Sequence, residues 1–180
     1  PLGQLSFIDG PRTDVTDHYT LDYYPNDPAL GPNRARLQRV TDPNGLVLRN
    51  NIQYSATGKV LSEQRPNNLT LNYTYYPGND RLKQIDQING TGTRALHFTW
   101  LPSGELETIT QGYGSPDAVT LTLGYDAARR LTSSPDGLGN RVEYVLDTEG
   151  NREATNIKDA TGTLKRSLTQ TLNGSKDMGV

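Results

Sequence analysis

The segment Leu69-Thr70-Leu71-Asn72-Tyr73-Thr74-Tyr75 alternates apolar or aromatic residues with polar ones. A period of two is the pattern of a β-strand that buries one face and wets the other. The same alternation continues along the chain in the segments 96–100, 119–125 and 142–146. The sequence therefore predicts an all-β protein of antiparallel hairpins, with no helix longer than two turns.

Each alternating segment ends in an anchor residue that is followed by a recurring sequence pattern. A glycine or a substitute follows four positions later, and in most cases an aliphatic residue follows two positions after that. The anchors are Tyr54, Tyr76, Trp100, Tyr125 and, with leucine in place of the aromatic, Leu146. Hairpin turns are predicted at 55–58, 77–80, 101–104, 126–129 and 147–150, because glycine adopts left-handed backbone freely. Arg129 stands where glycine is expected, so a different turn is predicted there.

The strand that follows each turn departs from strict alternation. Its apolar residues often lie three positions apart, in the pairs Leu37 and Val40, Leu82 and Ile85, Leu106 and Ile109. A β-bulge after the turn would return both side chains to one face. Because one hairpin cannot bury its own apolar face, consecutive hairpins are expected to pair edge to edge in a meandering sheet. Weaker hairpins are predicted near Tyr24 and at 158–164.

Composition limits the function classes. The 180 residues include 10 Tyr, 18 Gly and 11 Pro, and only 33% are hydrophobic, which predicts many turns and a thin core. A formal charge of −2, with scattered Lys and Arg, argues against nucleic-acid binding. Apolar runs are too short to span a membrane. The absence of Cys excludes thiolate metal sites, thiol catalysis and disulfides.

Two stretches carry a family resemblance. Tyr125-Asp126-Ala127-Ala128-Arg129-Arg130-Leu131 resembles the signature of the RHS or YD-repeat family, and residues 136–152 are similar to its next half-repeat. The resemblance covers about residues 19–164, and Leu146 departs from it because the family usually has Tyr there. It implies a β-sheet strip that spirals into a hollow shell. In bacterial polymorphic toxins and insecticidal toxin complexes such a shell encloses a cytotoxic C-terminal segment, and teneurins use a related shell in adhesion.

The chain divides into three parts on this basis. Residues 1–18 are predicted to be a lead-in strand or linker, 19–164 an array of about six or seven hairpins, and 165–180 a polar tail that frays. The chain is expected to be a piece of a longer protein. The tetrapeptide Asp42-Pro43-Asn44-Gly45 resembles half of the paired motif with which the bacterial shells cleave their own chain. Since its partner is missing here, a turn is the preferred interpretation.

Catalytic, cofactor and metal sites are not predicted. His18 and His97 lie in polar or outward positions typical of surface residues. Asp14, Asp17, Asp22 and Asp27 are close in sequence but lack the spacing of a calcium loop. Asn68, Asn72, Asn89 and Asn173 lie in glycosylation sequons, which have no meaning in a bacterial protein. No nucleophile elbow, phosphate loop or zinc motif is present, so an enzyme is not expected and no cofactor is assigned.

Two functions remain open. The first is a non-catalytic segment of a secreted or cell-surface bacterial shell around a toxin or other C-terminal cargo. The alternative is an adhesion module in which the tyrosines bind carbohydrate or a surface protein. Tyrosines that pack their rings and leave their hydroxyls in water are the preferred interpretation of the pattern, because Tyr recurs at the strand-ending position. Expected partners are neighbouring repeats or copies of the chain through sheet edges, and possible partners are an enclosed toxin and glycans.

Overall fold

The computed structural model describes residues 3–12, 14–15, 17–90 and 92–170. It is almost entirely β-structure, as the alternation predicts. The strands are β1 (Phe7–Ile8), β2 (Tyr19–Tyr23), β3 (Leu37–Thr41), β4 (Val47–Tyr54), β5 (Val60–Arg65), β6 (Leu69–Tyr75), β7 (Leu82–Asn89), β8 (Gly92–Trp100), β9 (Leu106–Gln111), β10 (Val119–Thr122), β11 (Gly124–Tyr125), β12 (Leu131–Pro135), β13 (Arg141–Leu146), β14 (Arg152–Lys158) and β15 (Leu164–Thr169). Within the described ranges the one helical element is the 3-10 segment Pro28–Asn33.

The chain forms two compact units, Pro1–Leu96 and His97–Val180, and strand β8 contains the division. In the first unit each strand from β1 to β7 pairs antiparallel with the next, so strand order follows chain order. In the second unit β9 pairs with β10, and β11–β15 form a five-stranded sheet, again in chain order. Each unit is therefore built from meandering hairpins.

Most hairpins close with the same turn. At Ser55–Gly58 the Gly58 amide donates to the Ser55 carbonyl at 3.0 Å, and the Ser55 amide donates to the Lys59 carbonyl at 2.8 Å. The same pair of bonds closes the turns that begin at Asp42, Leu101, Asp126, Asp136, Asp147 and Asp159. The predicted turn at 42–45 is thus confirmed, and it is the same structure as the turns that follow the anchors.

The prediction of a different turn at Arg129 is wrong. Arg129 has φ of 65°, and its amide donates to the Asp126 carbonyl at 2.9 Å, as glycine does in the equivalent turns. Asp126 makes this tolerable because its Oδ1 accepts the amides of Ala128 and Arg130, both at 2.9 Å. Side-chain bonds to the turn backbone therefore offset the strain of left-handed arginine.

The turn predicted at 77–80 is present but one residue longer than its equivalents. The Tyr76 amide donates to the Arg81 carbonyl at 2.8 Å, and the Asp80 amide donates to the Tyr76 carbonyl at 3.1 Å. The residue that faces Leu82 across the hairpin is consequently Tyr75. The anchor assigned to Tyr76 is corrected to Tyr75; sequence spacing alone could not separate two adjacent tyrosines when the turn gained a residue.

The bulges predicted at Leu37–Val40 and Leu82–Ile85 are confirmed, and the one at Leu106–Ile109 stays a prediction. Tyr75 faces Leu82 and Tyr73 faces Ile85, so one extra residue lies on the return strand. Since Tyr73 and Tyr75 point to one face, Leu82 and Ile85 do so as well. Similar register shifts follow the turns after Tyr23, Tyr54, Tyr125, Leu146 and Lys158.

The expected start of the C-terminal tail at residue 165 is wrong. Leu164–Thr169 is strand β15, and it pairs with β14 from Lys158↔Leu164 to Ala154↔Thr169. All six residues of β15 are exposed, which explains why their sequence shows no buried face. The rest of the expected tail, 171–180, lies outside the described residues. At the other end, β1 lies within the segment expected to be a lead-in strand or linker.

The core is as thin as the composition suggests. Among the described residues only Ile52 and Ala95 are buried apolar residues, at 0% and 8% exposure. Stability must therefore come from strand pairing and from half-buried contacts between hairpins. In the described ranges, no helix has the length and apolar character required to cross a bilayer.

Candidate functional site

Tyrosine hydroxyls connect three of the hairpins to the hairpin before them. Tyr54 donates to the Leu37 carbonyl at 2.8 Å, Tyr75 to the Val60 carbonyl at 2.7 Å, and Tyr125 to the Leu106 carbonyl at 2.8 Å. Every donor ends its strand, and every acceptor begins the return strand of the preceding hairpin. We call these three bonds the inter-hairpin tyrosine contacts. Burial raises the pKa of Tyr54 and of Tyr75, so both hydroxyls stay protonated donors over the physiological range.

A cation next to two of the acceptors reinforces the connection. Arg36, which precedes Leu37, lies 5.2 Å from the centre of the Tyr54 ring, and Lys59, which precedes Val60, lies 5.2 Å from that of Tyr75. Two successive residues of one hairpin thus hold one tyrosine of the next, by its hydroxyl and by its ring face.

The same cations also reach the neighbouring turns. A Cβ added to Gly58 would lie 2.8 Å from Arg36 Nη1, and Lys59 Nζ donates to the Asp80 carbonyl. In the second unit, Arg130 Nη1 donates to the Asp147 carbonyl at 3.1 Å. Glycine at position 58 therefore permits two things: a left-handed backbone, with φ of 88°, and the close approach of the Arg36 guanidinium.

The first unit contains a buried ionic cluster on β4, β5 and β6. The Glu63 carboxylate is fully buried and accepts from Arg49 Nε at 2.5 Å, Arg65 Nη2 at 2.6 Å and the Tyr73 hydroxyl at 2.8 Å. Burial raises the pKa of Glu63, but hydrogen bonds from Tyr73, Arg49 and Arg65 outweigh it and hold the pKa below its usual value. Burial and the bond to Glu63 raise the pKa of Tyr73.

The sequence interpretation missed Glu63, although a signal for it exists. Glu63 lies three positions after Val60, which is the spacing that places Ile85 beside Leu82 on the inward face. A glutamate at an inward position needs cationic or hydroxyl partners. Arg65, two residues further along β5, and Arg49 and Tyr73 on the neighbouring strands supply them.

The residues weighed as catalytic or metal-binding candidates have separate local contacts, except that Asp14 and Asp17 share Arg12. His97 stacks on Tyr113 with ring centres 4.2 Å apart, and His18 packs against Phe7 at 5.5 Å. The four acidic candidates have local roles: Asp14 pairs with Arg12, Asp17 accepts the Arg12 amide, Asp22 pairs with Arg39, and Asp27 caps the 3-10 helix. Across the described ranges, no three His, Asp or Glu side chains are grouped so that they could hold a metal ion.

An open polar groove of about 400 Å³ lies beside the β5–β6 hairpin. Its lining consists of Val47, Asn50, Gln64, Arg65, Pro66, Asn67, Asn68, Leu69 and Thr70. Asn67 and Asn68 both have left-handed backbone, with φ of 61° and 57°. Amide and hydroxyl groups dominate the lining, so the groove could hold a polar ligand by hydrogen bonds.

No protein-family model matches the chain. Solved structures do match it. The crystal structure of TcdB2-TccC3-Cdc42 is 17% identical with a TM-score of 0.66, and the match covers 88% of this chain and 9% of that one. The crystal structure of TcdB2-TccC3 without its hypervariable C-terminal region is 17% identical with a TM-score of 0.67, and the match covers 88% of this chain and 9% of that one. The structure of the Photorhabdus luminescens Tc holotoxin pore is 17% identical with a TM-score of 0.66, and the match covers 86% of this chain and 8% of that one.

The match concerns the fold. The chain spans less than a tenth of the length of these neighbours. At this low sequence identity the match does not carry their activities or partners over to this chain. The neighbours carry an RHS/YD-repeat shell, and hairpins of the same kind run through both units of this chain. The chain therefore has the fold of the RHS/YD-repeat shell of Tc toxin complexes.

Proposed function

We propose that this chain is a non-catalytic structural segment of a secreted bacterial RHS-repeat protein whose β-sheet shell encloses a toxin or other C-terminal cargo. The observation that carries the proposal is the set of inter-hairpin tyrosine contacts. Tyr54, Tyr75 and Tyr125 join each hairpin to its predecessor with the same atoms in the same places. Contacts of this kind repeat from hairpin to hairpin, as expected of a wall built from repeats.

The geometry supports a wall in a second way. Each hairpin contributes two strands to a meandering sheet, and its stability depends on its neighbours since almost nothing is fully buried. Most of the turns recur with one hydrogen-bond pattern, so most hairpins are added without a new type of connection. Such a sheet can be extended by the addition of further hairpins of the same kind.

The names of two structural neighbours suggest what a shell of this kind accompanies. One is a complex with Cdc42 in its name, and another lacks a hypervariable C-terminal region. We extend to the present chain the idea that a constant shell accompanies a variable C-terminal segment. The shell segment would then recognise its cargo through general features of its face and not through a specific catalytic site.

Limited proteolysis of the full-length protein that carries this segment tests the proposal. The region after the repeats should resist protease in the native protein. It should become sensitive when Tyr54, Tyr75 and Tyr125 are all replaced by Phe, which removes only the hydroxyls. Tyr19→Phe, at an exposed position, is the matched control and should leave the protection intact. A C-terminal region cleaved equally fast in all three proteins would contradict an enclosing shell.

The polar groove is the observation that favours the alternative, an adhesion module. Its amide-rich lining suits a carbohydrate better than an apolar ligand. A glycan-array screen, followed by titration of any hit against Asn50→Ala and Asn68→Ala variants, tests it. Saturable binding that both variants abolish would favour adhesion, and the absence of any bound glycan would leave the shell as the function.

A further inference from the structure

We infer that Asn89 is a site of spontaneous deamidation in the folded protein and that Asn44 is protected from the same reaction. Both residues precede glycine and both are exposed. A following glycine presents no side chain to hinder attack on the asparagine carboxamide. The sequence alone therefore makes the two sites equivalent, and the structure separates them.

The turn at Asn44 binds the groups that the reaction needs. The Gly45 amide donates to the Asp42 carbonyl at 3.0 Å. Asp42 Oδ1 also accepts the Asn44 amide at 2.9 Å and the Leu46 amide at 2.8 Å. The Gly45 nitrogen cannot attack until its own hydrogen bond breaks, and two more bonds hold the backbone on either side.

The hairpin tip at Asn89 lacks this restraint. Asn89 is the last residue of β7, where it faces Leu69, and Gly90 follows outside the strand with φ of 58°. No residue in the described ranges accepts a hydrogen bond from the Gly90 amide. Within those ranges the Gly90 nitrogen is therefore available without breaking a hydrogen bond.

The chemistry is intramolecular. The Gly90 nitrogen forms a bond to Cγ of Asn89, the Cγ–Nδ2 bond breaks, and the amide proton leaves with the ammonia. The resulting succinimide adds one water and opens to aspartate or isoaspartate. Neither product needs an enzyme or an oxidant. The change adds one carboxylate, which takes the formal charge of the chain from −2 to −3.

Peptide mapping by mass spectrometry after incubation at neutral pH and 37 °C measures both sites separately. In the folded protein Asn44 should deamidate at least about fivefold more slowly than Asn89, the factor that matches the net worth of one backbone hydrogen bond. In urea the two rates should converge, since the local sequences are then equivalent. A third Asn-Gly pair, Asn173-Gly174, lies outside the described residues, so each deamidated form is assigned peptide by peptide. Asn89→Gln should remove the deamidated form of the peptide that contains residue 89, and Asn44→Gln should leave that form unchanged.

Asp42→Ala tests the cause of the protection. It removes both side-chain bonds of the turn and leaves the chain otherwise intact, so Asn44 should react faster in this variant while Asn89 is unchanged. Circular dichroism checks that the variant is folded. Asn44 reacting as fast as Asn89 in the native protein would overturn the inference. So would a rate difference that persists in urea, because its origin would then be local sequence.

Discussion

The hydroxyl of Tyr54 donates a hydrogen bond to the carbonyl oxygen of Leu37 at 2.8 Å, across the boundary between two successive hairpins. Arg36, the residue before the acceptor, lies over the same tyrosine ring. The Tyr54 side chain therefore contacts the previous hairpin twice, through its hydroxyl and through its ring face. This relationship makes stability in a sheet with little core a property of neighbouring hairpins.

Tyr54→Phe should lower the free energy of unfolding by about 1 kcal/mol, because it leaves the half-buried Leu37 carbonyl without its hydroxyl donor. The ring and its contact with Arg36 remain, so the change isolates the hydrogen bond. Urea denaturation followed by tyrosine fluorescence or circular dichroism provides the measurement. Tyr19→Phe, 41% exposed in the wild type, is the control and should change the midpoint little.

Leu146→Tyr should stabilise the second unit. Leu146 ends strand β13 in the position of Tyr54 and Tyr125, but it has no hydroxyl for the preceding hairpin. A tyrosine there should donate to the Leu131 carbonyl and raise the free energy of unfolding by about 0.5–1 kcal/mol. Leu146→Phe adds the ring without the hydroxyl. If the two variants unfold at the same urea concentration, the hydrogen bond does not form and the repeat rule fails at this position.

The predictable part of this fold was the part set by periodicity. Alternation located the segments that become β6, β8 and β13, and the spacing of three residues correctly implied bulges at Leu37–Val40 and Leu82–Ile85. Tyr75 and Tyr76 could not be separated, since an added turn residue leaves the hydrophobic pattern unchanged. The hairpin predicted at 158–164 is present and β15 begins at Leu164, but the rest of β15 was assigned to the tail because a fully exposed strand has no alternation to detect. Glu63 was missed because two of its partners, Arg49 and Tyr73, come from neighbouring strands, and local sequence does not show which strands pair.

Arg129→Gly should stabilise the protein by about 1 kcal/mol, because glycine adopts left-handed backbone without the cost that arginine incurs. The Arg129 side chain is 63% exposed and its ion pair with Glu105 spans 3.6 Å, so its loss should matter little. Arg129→Ala removes the same ion pair but keeps a Cβ at φ of 65°. Thermal unfolding should therefore rank the glycine variant above wild type and the alanine variant near or below it.

Glu63→Gln should destabilise the first unit by about 2–4 kcal/mol, the range expected when one partner of a buried ion pair is removed. Arg49 and Arg65 would then face each other without the carboxylate that neutralises them. Their side chains are 31% and 36% exposed, so water relieves part of the cost. Glu143→Gln is a matched control in the second unit, since Glu143 also pairs with two cations but is 28% exposed. A loss no larger than that of the control would argue against a special role for the buried cluster.

The same carboxylate should make the first unit sensitive to acid. The pKa of Glu63 is lowered in the folded protein, because hydrogen bonds from Tyr73, Arg49 and Arg65 outweigh the effect of burial. A group with a lowered folded-state pKa contributes its full stability above its unfolded pKa, about 4.3 for glutamate, and loses that contribution as the pH falls toward the folded value. Urea midpoints of the wild type should thus fall between about pH 5 and pH 3, and Glu63→Gln should show a shallower decline. Parallel declines in the two proteins would show that other carboxylates, such as the turn aspartates, govern acid unfolding.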